Sequence, residues 1–239
     1  MKTREEMKMF SNKELRSMII TLFFEQLLVM LVGIVDTFVV SSCGEAAVSG
    51  VSLVNQFNTI FIYLFTALAS GGAIIVSQYI GNKDEKRTVL SSSQLLMFSI
   101  VFSIILSILV LIFNKQLLGL LFGKVESDVM KACVTYLRIS AYSYPALAIY
   151  NAGAALYCSM AKTKVTMYIS FAANIINVVG NIIGVYVLKA GVAGVAYPSL
   201  ISRVFSAIII TVLCFNKKLK AYYDSKDIFR FDGKMLKRI

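Results

Sequence analysis

Histidine is absent from this 239-residue sequence. Its four cysteines, Cys43, Cys133, Cys158 and Cys214, are scattered and form no CxxC pair. The two absences together leave no ligand set for zinc and no Cys/His nucleophile pair. The apolar runs hold no Asp/Asp pair either. Acid–base or metal chemistry inside a membrane therefore has nothing to work with, and neither an enzyme nor a cofactor is expected. Cys43 and Cys133 fall on the same expected side of a membrane, which leaves a disulfide open. Scattered cysteines otherwise read as small, free, apolar residues. Proline occurs only twice, as Pro145 and Pro198, each inside an apolar run where a kink is expected. Acidic residues number 13 against 24 Lys and Arg, for a net charge of +11. No small-residue cleavage site follows the first apolar run, which is too long for a signal peptide and reads as an inserted helix.

What is present is apolar. Hydrophobic residues make up 58% of the chain, against about 45–50% in an ordinary soluble domain. A bilayer core asks for about 20 apolar residues per helix. Six segments satisfy this, over residues 17–41, 51–77, 89–113, 131–158, 165–188 and 194–215. The expectation is an all-α membrane protein with the lipid bilayer as its first partner. Lys and Arg number eighteen on one side of this topology and four on the other, leaving Arg138 and Arg203 within spans. The positive-inside rule then puts both termini in the cytoplasm. The surplus charge is thereby read as topology, and nucleic acid is not an expected partner. Arg138 lies close enough to an interface to snorkel, whereas Arg203 is deeper and needs a partner. Residues 116–122 are too short to span and read as a small interfacial helix. Residues 1–215 form the membrane lobe. Residues 216–239 form a basic cytoplasmic linker, either lying on the anionic leaflet or solvated.

Asp36 stands inside the first apolar run. A carboxylate at a helix centre costs about 2.5–3.5 kcal/mol on insertion scales, so it normally faces protein or a water-filled cavity. Expected depth brings other polar groups to it. Asn177 and Asn181 are one helical turn apart on a single face, and Ser199 lies near the start of the sixth span. One carboxylate with neutral oxygen donors suits a proton or a Na+ ion at Asp36. The same groups could instead hydrogen-bond neighbouring helices. Asn174 lies one turn further in. Glu25, eleven residues before Asp36, returns to nearly the same helix face; it is either a second acid on a path toward the cytoplasm or an acid paired with a neighbouring helix. Asn55 and Gln56 are further candidates to line the cavity. Gly180 and Gly184 form a GxxxG pair suited to close helix packing.

The order of several short motifs resembles the multidrug and toxic compound extrusion (MATE) family. They are Val35-Asp36-Thr37, Gly44-Glu45-Ala46-Ala47-Val48-Ser49-Gly50, Ser77-Gln78-Tyr79-Ile80-Gly81, Tyr136-Leu137-Arg138, Asn177-Val178-Val179-Gly180-Asn181 and Gly191-Val192-Ala193-Gly194-Val195-Ala196. The resemblance extends to Phe215. It implies one lobe of a secondary transporter that exports small cationic or amphipathic organic compounds against Na+ or H+ by alternating access. It also implies a cation or proton site in this lobe at Asp36, Asn177, Asn181 and Ser199. The sequence departs from the family in having Asn181 where several members carry aspartate, and six spans where members have twelve. The implied partner is then a second lobe or a second copy of the chain. A related flippase for lipid-linked substrates would be expected to line its cavity with arginine or lysine, and only Arg138 and Arg203 are placed to do so.

Overall fold

The computed structural model describes residues 12–123 and 125–228, and among these it contains helices and no strand. Lys2, Arg4, Lys8, Lys124 and the tail from Phe229, which entered the topology reading, lie outside the described residues. The helices are α1 (Asn12–Ser41), α2 (Glu45–Gly81), α3 (Glu85–Phe122), α4 (Ser127–Tyr142), α5 (Tyr144–Ser159), α6 (Thr163–Ile182), α7 (Ala193–Cys214) and the short α8 (Ser225–Ile228). A π-helical turn, Ile183–Val187, extends α6. Five of these are long and apolar enough to cross a bilayer: α1, α2, α3, α6 with its extension, and α7.

The expected fourth span is the principal correction. Instead of one helix over 131–158, there are two helices of 16 residues each, α4 and α5, meeting at Ser143. Each is about 24 Å long, short of the roughly 30 Å hydrocarbon core. Pro145 in the first turn of α5 explains the break. Proline has no N–H to offer the carbonyl four residues earlier, and its ring crowds that turn. The orphaned carbonyl belongs to Ala141, and α3 satisfies it through the Ser107 hydroxyl at 2.7 Å. Pro198, by contrast, sits inside an α7 that stays continuous. The expected interfacial helix runs on directly from α3, with Phe113 (φ −100°, ψ 16°) marking the bend between them.

In lipid no hydrophobic gradient drives helices together, so close packing and polar contacts do it. The buried face of α3 is accordingly rich in serine: Ser92, Ser99, Ser103 and Ser107. Ser92 and Ser103 turn their hydroxyls back to carbonyls of their own helix, at 2.8 and 2.9 Å, which satisfies them internally. Gly184 and Gly194 bring α7 against the π turn so closely that a Cβ on Gly184 would lie 2.1 Å from the Gly194 carbonyl oxygen. Gly180 packs likewise on the Pro198 ring. The GxxxG pair is thus a packing surface. Tyr144, at the start of α5, stacks on Phe61 at 4.7 Å and donates a 2.7 Å hydrogen bond to Asn58 Oδ1, anchoring the break to α2.

All four cysteines are free, and Arg138 is exposed. Beyond α7 the chain folds back onto the bundle. Ala221 and Tyr223 are buried. The Tyr223 amide donates to Cys214 O at 2.9 Å, and the Asp224 amide to Ser93 Oγ at 3.0 Å. Gln94 Nε2 donates to Asp227 O at 2.7 Å.

Candidate cation site

α1 is the least embedded of the long helices. Only 6% of its most apolar stretch is buried, against 28–33% for the other four. It lies against α6, and one of the polar links between the two is Asp36, whose Oδ1 accepts a hydrogen bond from Asn181 Nδ2. That amide nitrogen also donates to Asn177 Oδ1 at 3.1 Å. Asn177 Nδ2 donates to Ser199 Oγ at 2.9 Å, and the Ser199 hydroxyl ends the chain on Val195 O at 3.1 Å. The four residues expected to share a depth therefore form one hydrogen-bonded line across α1, α6 and α7. Asn177 and Asn181 meet because four residues make about one turn. Asn181 is fully buried, and its Oδ1 has no hydrogen-bond partner.

Three of its four residues, Asp36, Asn177 and Ser199, line a cavity of about 350 Å³, and Asn181 is buried behind them. Asn55 and Asn174 also line it. Gln56 does not: it is exposed and absent from the cavity wall. Successive helical residues point about 100° apart, and here only Asn55 of the two turns to the cavity. Glu25 is in a separate cavity nearer the start of α1.

Four further cavity residues were not among the expected site residues. Arg203 reaches it from α7, with Nη1 donating to Ser143 Oγ at 2.6 Å. Ser143 in turn donates to Ser140 O at 2.6 Å. The α4–α5 break thus supplies the partner that Arg203 required. Asp36 and Arg203 share the cavity and interact through space without a direct ion pair; among the described residues ion pairs occur only at Arg87–Asp84 and Lys131–Asp128. Tyr136 is buried on the same wall as Asn55 and Ser199. Tyr150 and Ser170 close the end of the cavity toward Glu25. A polar side chain deep in an apolar span was the available signal for all of them.

The oxygen atoms here suit a hard monovalent cation or a proton. The carboxylate supplies the charge, Asn181 Oδ1 is uncommitted, and Ser199 Oγ is near. Among the described residues no group of three His, Cys, Asp or Glu gathers that could hold a metal ion.

The MatE family model matches residues 21–183, well over half the chain. The chain belongs to the MatE family. It is a multi-pass membrane protein, and members of this family are transporters rather than enzymes. It is 26% identical to the uncharacterized transporter YisQ of Bacillus subtilis over 91% of this chain and 48% of that protein. It is 25% identical to human multidrug and toxin extrusion protein 1 over 87% of this chain and 36% of the human protein. Among solved structures, the outward-facing conformation of a multidrug resistance MATE family transporter of the MOP superfamily superposes with a TM-score of 0.87. That match has 21% identity and covers 95% of this chain and 50% of that one. The inward-facing conformation of a MATE family transporter superposes with a TM-score of 0.80 at 21% identity, covering 87% of this chain and 47% of the other. The MatE chain described here spans about half the length of YisQ and of the superposed transporters, and 36% of the human protein.

Proposed function

We propose that this chain is one lobe of a cation-coupled exporter of small organic compounds, cationic or amphipathic, with Asp36, Asn177, Asn181 and Ser199 holding the coupling proton or Na+ ion. The carrying observation is the hydrogen-bonded line from Asp36 through Asn181 and Asn177 to Ser199 at the edge of a cavity. A carboxylate so placed takes up a cation when the cavity is wet and gives it up when the surroundings change, which a transport cycle can use. The line also ties the lightly embedded α1 to α6, so cation occupancy and helix position can depend on each other.

In this reading both termini are cytoplasmic and α4 and α5 together make a sixth, bent crossing. The facing wall of the substrate path comes from a second lobe or from another copy of the chain. Relatives named for multidrug extrusion support the substrate class. The flippase reading loses ground here, because Arg203 is the one basic side chain on the cavity wall and it is already engaged with Ser143.

The test is efflux of a fluorescent organic cation from cells carrying the native gene. Asp36→Asn should abolish the dependence of efflux on an imposed proton or Na+ gradient, and separate gradients identify the ion. Unchanged coupled efflux in that variant would remove the basis of the proposal. Crosslinking in native membranes separates the two sources of the facing wall, since a second copy requires a dimer.

A further inference from the structure

A second polar cavity lies beside the first. Its volume is about 680 Å³ and its one carboxylate is Glu25. Ile62, Tyr150 and Ser170 line both cavities and form the wall between them. Two of these three wall residues carry hydroxyls, and both hydroxyls reach Glu25. Ser170 Oγ donates to Glu25 Oε1 at 2.7 Å, and Tyr150 Oη stands 3.2 Å from the same oxygen. The two hydroxyls are 2.7 Å apart. Three helices thus converge on one acid: α1 brings Glu25, α5 brings Tyr150 and α6 brings Ser170.

The alternative role for Glu25 was an acid near the inner interface paired with a neighbouring helix; its hydrogen bonds from α5 and α6 are such a pairing, but they bring it no opposite charge. Among the described residues no Lys or Arg lines its cavity. The other titratable groups on that wall are Tyr63 from α2, and Tyr150 and Cys158 from α5; α6 contributes Thr163, Thr166 and Ser170. A carboxylate that is hydrogen-bonded but not charge-paired, deep in a membrane helix, marks a proton or ion path.

We infer that Glu25 is a second station for the coupling proton, connected to the Asp36 cavity through the Tyr150 and Ser170 hydroxyls. The inference rests on the reading of Asp36 as the coupling-cation site. The transfer balances as follows. The Ser170 hydroxyl gives its proton to the Glu25 carboxylate as Tyr150 gives its own to the Ser170 oxygen, and Tyr150 is reprotonated from the Asp36 cavity that it also lines. One proton moves, Glu25 ends neutral, and both hydroxyls are regenerated. Glu25 lies eleven residues from Asp36 along α1, about 16 Å at 1.5 Å per residue, so a relay has to bridge that span.

The experiment uses the full native protein reconstituted in liposomes, with proton-driven efflux of a fluorescent organic cation and infrared difference spectra between alkaline and acidic buffer. Glu25→Gln and Ser170→Ala should each slow proton-driven efflux by about ten-fold, the scale of losing a hydrogen bond to a charged group. In the spectra Glu25→Gln should remove one protonated-carboxyl band and Asp36→Asn a different one. Tyr150→Phe, which keeps the ring and its packing, should slow efflux while leaving both bands. If Asp36→Asn abolishes coupling while Glu25→Gln and Ser170→Ala transport normally, the second station is overturned and the Asp36 reading stands. If Asp36→Asn changes nothing, the Asp36 reading fails first. If Glu25→Gln removes no band, Glu25 does not titrate and the relay is overturned even where efflux has fallen.

Discussion

Asp36 and Asn181 set the chemistry at the scale of single residues. The Asn181 amide nitrogen is shared between Asp36 and Asn177, while its oxygen is buried without a partner. Asn181→Ala removes both donations, and a hydrogen bond to a charged group is worth about 1.5–3 kcal/mol. Coupled efflux should fall by ten-fold or more on that scale, measured in cells expressing the variant. Asn181→Asp does the reverse and sets a second carboxylate against the first. Two carboxylates chelate a cation better than one, so the Na+ concentration giving half-maximal efflux at fixed pH should fall. The four residues of the line were legible because each is polar, in an apolar run and at a depth that topology counting gives. Arg203 was visible as a deep charge without a partner. Its partner was not visible, because Ser143 becomes available only where Pro145 interrupts the helix. Tyr150 and Ser170 were hidden for a related reason: a tyrosine and a serine in apolar helices are common packing residues, and only the fold sets them against Glu25.

At the scale of elements, hydropathy marks an apolar run but not its continuity. The run from 131 to 158 satisfies a spanning window, yet it holds two helices, because one proline deprives Ala141 of its donor and a serine from α3 takes over. The proline itself was legible; the replacement hydroxyl, 34 residues earlier in the chain, was not. The π turn after α6 tells a similar story. Its crossing with α7 is set by Gly184 and Gly194, whose backbones touch. Gly184→Val has no room without separating the helices, and overpacking typically costs about 1–3 kcal/mol. The variant should show a lower melting temperature in detergent and weaker coupled efflux, since Asn181 is three residues away and would move with the turn.

At the scale of the whole molecule, residues 219–228 fold back onto the bundle at the end of α7 and the beginning of α3. Residues 219–228 were expected either on the leaflet or in solvent, but Tyr223 is 1% exposed and meets Phe215 edge-on at 5.9 Å. Basic composition concealed this, because the buried positions are only Ala221 and Tyr223 among lysines. Large-to-Ala changes at buried aromatics cost about 3–5 kcal/mol. Tyr223→Ala should therefore lower the melting temperature of the solubilised protein markedly, while Lys220→Ala, at an exposed neighbour, should leave it within error.

The folded-back stretch has one further consequence. Hydrogen bonds to the side chains of Ser93 and Gln94 hold Asp224 and Asp227 beside the beginning of α3, while the Tyr223 amide stays on Cys214 O at the end of α7, so the stretch clasps these two helix ends together. The same α3 satisfies the Ala141 carbonyl through Ser107 further along, so one helix touches both the folded-back stretch and the α4–α5 break beside Arg203.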